Sequence, residues 1–526
     1  MDFDILIRGG LLADGSGAPL YEADLGINGD LIAATGNLKN ARGAEEINAR
    51  GLIVSPGFVD IHGHSDYFIL IEPGARSKLT QGVTSEIGGN CGYSAAPISR
   101  ELQAERAQSL DKNFGLKPDW ETLSEYFGRL NKIKIAMNFG VLVGHNTIRA
   151  SVMGGAAHPP DEKEMATMRQ MVRSGMNDGA LGISTGLVYP PACFADVAEV
   201  AALCSVAAEF GGFFSTHMRS EGHALLEAVS EVIEAAQPAH IRLEISHFKT
   251  SGPKNWGKIE DAIGLIEAAQ ARGVDVRCDR YPYIASYTGL SSALPTWTLE
   301  GTRDEFRKRL TEPGVRQRVR EEVFSQNGAN FLERVTIAQT FSDNTRRLEG
   351  LSVAQAAAQA AKDPLNFLLD LLSSEENDPT AIYHSMNEEN MTRILKLPYT
   401  SVGSDSAVRA IDGPLGAGKP HPRVYGCFPR MLRLVREKKI MPIEEAVHKM
   451  TAAPAAAAGI KNRGTIRLGA FADVVVFDAD KISDIATYEN PQRFSVGVQF
   501  VIVNGVVALK DGEITGARAG KVLRRE

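Results

Sequence analysis

No stretch of this chain approaches the roughly 18 consecutive apolar residues that a membrane span requires. A basic excess is missing as well: 57 Lys and Arg face 64 Asp and Glu, which leaves a net charge of −7 and a pI near 6.0. Such a balance provides no footprint for nucleic acid. Cysteine is scarce, scattered and odd in number, with five residues in all, and this excludes a disulfide framework. The opening residues Met1 to Arg8 lack the basic segment, apolar core and small-residue cleavage site of a signal peptide. These absences predict a cytoplasmic protein with no membrane or nucleic-acid partner. What remains is ordinary for a globular enzyme, with 44% hydrophobic and 23% charged residues. At 526 residues the chain is too long for one compact core and suits a large domain with a smaller companion.

The most informative segment is Val59-Asp60-Ile61-His62-Gly63-His64, which follows the apolar run from Leu52 to Phe58. In a strand, residues i and i+2 point to the same side, so His62 and His64 can converge on one metal. Read alone, His-x-His is more often a pair of loop histidines. Here further ligand-type residues close β-prone runs: Cys91 after Gly88-Gly89-Asn90, His217 after Phe213 to Thr216, His247 after Leu243 to Ser246, and Asp405 after Tyr399 to Ser404. Residues at the C-terminal ends of several strands are how a (β/α)8 barrel builds a site.

The sequence predicts a barrel over residues 56–455, where apolar β runs alternate with helical segments. Residues 1–55 and 456–526 read as short antiparallel strands, with turns at Asp14-Gly15, Asn28-Gly29 and Asn504-Gly505. They predict a small β-sandwich domain built from both termini and free of catalytic groups. The fold class is therefore α/β, a TIM-like barrel plus a sandwich. Residues 285–345 break the rhythm directly after a strand and are read as a lid over the barrel mouth, an inert surface excursion being the alternative. Residues 350–380 read as ordinary barrel helices.

The chain resembles the amidohydrolase superfamily, and within it the N-acyl-D-amino-acid deacylases. The resemblance runs nearly end to end, through the His62-Gly63-His64 strand, Asn90-Cys91-Gly92, Gly182 to Pro191, Ser215 to Arg219, Ser246 to Lys249, Tyr281-Pro282-Tyr283, Ser404-Asp405 and His421-Pro422-Arg423. It implies a cysteine, Cys91, where most two-metal relatives carry a carboxylated lysine or a glutamate. It implies that Cys91, His217 and His247 hold one tight Zn2+ and that His62 and His64 hold a second, weaker one or shape the pocket. Thiolate and imidazole together suit zinc, which brings the pKa of its water from about 15.7 towards 7. Asp405 is the general base and acid, or else a carboxylate orienting a histidine. The resemblance also implies that Lys249, Arg423 and a tyrosine, Tyr281 or Tyr283, grip the substrate α-carboxylate, surface salt bridging being the other reading of the two cations. Tyr189 polarises the scissile carbonyl or merely packs.

The expected activity is hydrolysis of N-acyl-D-amino acids to a carboxylate and a free D-amino acid. A cyclic-amide hydrolase would need a lysine in place of Cys91, and a non-catalytic scaffold would be expected to have lost ligands. His145 is read as structural, and Cys193, Cys204, Cys278 and Cys427 as core thiols. The Ala410–Lys419 stretch makes the loop between Asp405 and Arg423 longer than in well-known relatives. Because the lid begins with Leu294 and Trp297 and offers no cation near Tyr281, the sequence predicts a preference for neutral or apolar D-amino acids over D-Glu and D-Asp.

Overall fold

Strand Ile53–Pro56 stops one residue short of strand Phe58–Asp60, and this junction joins two kinds of sheet in the computed structural model, which describes residues 2–525. Behind the junction lies a nine-stranded sheet drawn from both ends of the chain. Its seam pairs Ile53–Pro56 with Val474–Phe477 in antiparallel register, Val54 opposite Val476. One face buries Ile5, Ile7, Leu25, Ile27 and Val54 from the early strands with Val474, Val476 and Ile502 from the late ones. The alternating pattern in the sequence is the cause: each strand turns every second side chain into this core.

Beyond the junction the strands are parallel. Phe58–Asp60, Val83–Gly88 and Asn138–Val141 form one group. Val143–Gly144, Gly182–Gly186, Phe213–His217, Arg242–Ile245, Val276–Arg280 and Thr400–Val402 form a second, in that order. Helices such as Glu162–Asn177, Val197–Glu209, Leu225–Ala236 and Ile259–Ala271 return the chain between strands. Asp161 shows how they start: its side chain accepts from Glu164 N while the Glu164 carboxylate accepts from Asp161 N, a capping box that satisfies two otherwise unpaired amides. Among the described residues no helix is long and apolar enough to cross a membrane.

The interruption after Arg280 is larger than the sequence pattern predicts. Strands Ser286–Gly289, Val335–Gln339 and Thr380–Tyr383 make a separate antiparallel sheet. Helices Val353–Gln359 and Pro364–Ser374 bury Val353, Ala356, Leu365, Leu368 and Leu369 with Leu290, Phe306, Val335 and Ile337 in a core of their own. The stretch 350–380 therefore packs with the insertion. Helical periodicity shows that a helix has a buried face, not which core receives it.

Leu294 and Trp297 also belong to this inner packing. Leu294 is 6% exposed among those core residues, and the Trp297 ring lies under Arg318, with Nε1 donating to Glu322 at 3.0 Å. Both side chains serve the packing of the insertion, Leu294 buried and Trp297 half-buried.

Candidate metal and catalytic site

All six ligand-type residues lie at or just past the C-terminal ends of parallel strands: Phe58–Asp60 for His62 and His64, Val83–Gly88 for Cys91, Phe213–His217 for His217, Arg242–Ile245 for His247, and Thr400–Val402 for Asp405. Gly63 is needed for a reason other than spacing the two imidazoles. A Cβ at this position would lie 2.2 Å from Glu86 Oε1, so only glycine fits against that buried carboxylate. Asn90 braces the Cys91 turn, with Nδ2 donating to Ile61 O at 3.1 Å and Ile87 O at 3.0 Å while Oδ1 accepts from Ser215 Oγ at 2.8 Å.

Three of these residues have left-handed backbones, with φ of 51° at Cys91, 36° at His247 and 48° at Asp405. Non-glycine residues keep such conformations only where their surroundings over-determine them. Asp405 N donates to His62 O at 2.8 Å, and His247 N donates to Asp279 Oδ1 at 2.9 Å. Beneath the site, Lys78 Nζ, fully buried, donates to Asp60 Oδ2 at 2.7 Å, Ser404 Oγ at 2.9 Å and Ser406 O at 3.0 Å. It thereby grips both neighbours of Asp405. Ser406 O also accepts from His64 N at 3.1 Å, and Asp60 Oδ1 from Ser404 N at 2.9 Å.

Cys91 is the hub. Its Sγ lies 3.3 Å from His62 Nε2, 3.6 Å from His247 Nε2 and 3.7 Å from His217 Nδ1. Zinc–sulfur bonds of about 2.3 Å and zinc–nitrogen bonds of about 2.0–2.1 Å at tetrahedral angles give an S···N edge of about 3.5 Å, so this spacing fits the ion. Burial opposes ionisation of the thiol, but the His62 charge and hydrogen bonds from His217, His247 and His62 hold its pKa well below the ordinary value. Two groups have donor atoms close enough to share an ion: His62, Cys91, His247 and Asp405, and His217, Glu221 and His247. His64 lies outside both. Its Nε2 meets Asp405 Oδ1 at 3.0 Å, and although burial disfavours its charge, bonding to Asp405 and Cys91 raises its pKa to about 9.

Two carboxylates escaped the sequence reading. Asp279 Oδ2 contacts His62 Nδ1 at 2.9 Å, and Glu221 Oε1 contacts His247 Nδ1 at 2.9 Å. Each leaves the Nε2 of its histidine directed at Cys91, the usual way a ligating imidazole is oriented. Asp279 sits at a strand end like the residues that were found, and Glu221 stands four residues after His217, so strand-end position and spacing were the available signals.

The expected substrate residues also converge. Asp405 Oδ2 is 3.0 Å from Arg423 Nη2, so the long 410–419 stretch does not carry Arg423 away. Burial penalises the Asp405 charge, yet Arg423, His247, His64 and His62 outweigh it and keep the carboxyl well below its usual range. Lys249 Nζ bonds Glu221 and lies 2.6 Å from His247 Nδ1. The Tyr281 hydroxyl is buried without a partner, whereas Tyr283 donates to Asp484 at 3.3 Å, which favours Tyr281 of the two. Tyr189 OH shares a hydrogen bond with Thr288 Oγ1 at 2.9 Å, and its ring is 4.9 Å from His217. His145 is tied to Glu199 at 2.7 Å, as expected of a structural histidine, and the other four cysteines are buried.

A buried thiolate–imidazole–carboxylate cluster at the ends of parallel strands defines a metal-dependent hydrolase site of the amidohydrolase type. The chain belongs to the amidohydrolase family, whose model matches residues 45–302 and 406–509. It is 35% identical to the D-aminoacylase of Alcaligenes xylosoxydans xylosoxydans over 99% of this chain and 98% of that protein. It is 36% identical to the N-acyl-D-glutamate deacylase of the same organism, over 99% and 97%. The crystal structure of the N-acyl-D-glutamate deacylase of Bordetella bronchiseptica, complexed with zinc and a phosphonate mimic of the tetrahedral intermediate, superposes with a TM-score of 0.84 at 34% identity, covering 100% of both chains. The unmatched stretch 303–405 holds most of the insertion.

Proposed function

We propose that this protein hydrolyses the amide bond of N-acyl-D-amino acids, releasing a carboxylate and a free D-amino acid. The observation that carries the reading is Cys91 Sγ, held as a thiolate within 3.3–3.7 Å of three imidazole nitrogens and opening towards Asp405. Cys91, His217 and His247 are assigned to a tight zinc, supported by the 3.6 and 3.7 Å from Sγ to the two imidazoles, and His62 with His64 to a weaker second one, although the donor atoms group His62 with Cys91, His247 and Asp405 and leave His64 at the edge. Bound zinc supplies Lewis acidity and makes water a nucleophile at neutral pH.

Asp405 then handles the proton. Arg423 holds its Oδ2 and His64 its Oδ1. As water adds to the acyl carbon, Asp405 takes its proton, and as the C–N bond breaks it returns that proton to the departing amine nitrogen. Lys249, Tyr281 and Arg423 hold the α-carboxylate, the Tyr281 hydroxyl and the Arg423 Nε and Nη1 being buried donors with no acceptor in the protein. Tyr189 is placed beside His217 to polarise the scissile carbonyl.

Several observations support a wider architectural reading. An isolated parallel bridge joins Gly63 to Ser406, linking the first parallel strand to the last, so the two parallel sheets read as arcs of one (β/α)8 barrel over 56–455. The shared core of early and late strands supports a small sandwich formed by 1–55 and 456–526. Thr288 on Tyr189 and the Tyr287 carbonyl on Arg423 support a lid role for the insertion. A cyclic-amide hydrolase gains little by comparison: the D-hydantoinase of Thermus sp. matches with a TM-score of 0.56 at 19% identity, which speaks for the fold alone. A scaffold that had lost its chemistry would not have kept every ligand.

The test is a panel of N-acetyl-D-amino acids and their L-enantiomers, run on protein of measured zinc content. Turnover of D-substrates by zinc-bearing protein is expected. Activity restricted to L-substrates, or to none of the panel, would overturn the reading. A second expectation concerns Asp279→Asn, which leaves the His62 imidazole less firmly oriented. A loss of about 10–100-fold in metal affinity or activity should follow, read by competition with a chromophoric chelator, while Glu221 still orients the His247 imidazole.

A further inference from the structure

A fully buried ammonium lies beneath the contact between His64 and Asp405, and the chemistry given so far makes no use of it. Lys78 Nζ reaches both chain neighbours of Asp405, donating to Ser404 Oγ at 2.9 Å and to Ser406 O at 3.0 Å. With the Asp405 backbone turned left-handed, at φ 48°, these two groups face the same point. Ser404 is secured a second time by Asp60, whose Oδ2 accepts from its Oγ at 2.5 Å and whose Oδ1 accepts from its N at 2.9 Å. Lys78 holds that same Oδ2 at 2.7 Å.

His64 is held from the same place. Lys78 Nζ pairs with Glu86 Oε2 at 3.1 Å, and Glu86 Oε1 accepts from Ser65 N at 3.1 Å. The Glu86 side chain also lies against Gly63, where a Cβ would come within 2.2 Å of it. The residues flanking His64 thus rest on Glu86, as those flanking Asp405 rest on Lys78. The two residues so held meet each other, His64 Nε2 to Asp405 Oδ1 at 3.0 Å.

Balancing Asp60 and Glu86 accounts for a buried cation but not for its two serine bonds. Ser404 Oγ and Ser406 O already have donors, Ser406 Oγ at 2.9 Å and His64 N at 3.1 Å. Their bonds to Lys78 therefore fix a position where no acceptor stood empty. Burial works against the Lys78 charge, but Asp60 and Glu86 outweigh it and raise its pKa, which keeps all three donors in place.

We propose that Lys78 is a positioning residue for the proton transfer, placing Asp405 through Ser404 and Ser406, and His64 through Glu86. Among the described residues its bonds go to Asp60, Glu86, Ser404 and Ser406. None of these is assigned to zinc, so its removal leaves Cys91, His217 and His247 untouched. The inference rests on the role given to Asp405 under the deacylase reading.

Lys78→Met keeps the length of the side chain and removes its charge and donors. On an N-acyl-D-amino acid that the unaltered enzyme turns over, kcat should fall about 10²-fold, the cost of a catalytic group displaced by roughly 1 Å, with KM moving less than about threefold. Zinc retained after dialysis should stay at the unaltered level. The same substitution in an Asp405→Asn background should cost kcat nothing further, because the carboxylate it would misplace is already gone. A residue that merely stabilises the fold would instead lower kcat by the same factor in both backgrounds. That result, a normal kcat in Lys78→Met, or zinc lost together with kcat overturns the proposal. Should Lys78→Met fail to fold, Ser404→Ala decides, since it removes one hydroxyl from the same link: kcat should fall with zinc and KM held, and an unaltered kcat overturns the proposal. A near-normal kcat in Asp405→Asn alone removes the base and this inference with it, whereas a failure confined to Lys78 leaves the deacylase reading standing.

Discussion

Cys91→Ala is expected to lose bound zinc and turnover together. Its Sγ lies within 3.3–3.7 Å of His62, His217 and His247 at once, and among the described residues it is the only soft donor in either candidate cluster. Its negative charge also matters. The thiol is held ionised by the imidazoles around it, and the alanine variant removes the anion that makes crowding three histidines in a buried space tolerable. Without it the imidazoles offer neutral nitrogens alone, and Asp405 is the anion left in the cluster with His62 and His247. Zinc measured by atomic absorption after dialysis should fall from about one equivalent to near none, with kcat at background. Full zinc with normal turnover would show that Cys91 is a core thiol like Cys204.

Asp405→Asn separates metal from proton transfer. The amide keeps the size of the carboxylate and can still meet Arg423 or His64 through its oxygen, but it has no site of comparable basicity. Zinc content should therefore stay near its original level while kcat falls by about 10²–10⁴-fold. KM should move far less, because Lys249, Tyr281 and Arg423 remain in place. A near-normal kcat would return Asp405 to the role of orienting His64. Loss of zinc along with kcat would make it chiefly a ligand, which its place beside His62 and His247 makes a fair contest.

The site residues were legible because they stand where a parallel strand runs out into a loop, a position that the one-dimensional pattern marks. His62, Cys91, His217, His247 and Asp405 all announce themselves this way. Their supports are harder to read. Asp279 shares the strand-end position and Glu221 stands four residues after His217, but which histidine each one meets depends on chain neighbours far apart in sequence, and Lys78 reaches Asp60 and Ser404 from a four-residue helix with no periodicity to read. The insertion was half seen. Its start breaks the strand–helix rhythm, but its later helices are indistinguishable in pattern from those that flank the parallel strands. The choice between Tyr281 and Tyr283 likewise waited on Asp484, about two hundred residues away.

The seam between Ile53–Pro56 and Val474–Phe477 bears on the order in which the protein can mature. The strand that leads directly into His62 is held on one side by residues that a ribosome delivers only after more than four hundred others. Asp405, too, must wait for its lysine-bound serines to meet Asp60. A nascent chain can therefore assemble the strands of Cys91, His217, His247 and Asp405 before the tail exists, since the partners of Asp405 named above all precede Val474. What the tail adds is the antiparallel partner of Ile53–Pro56, so chains cut shortly before Val474 should leave the strand leading into His62 open along that edge.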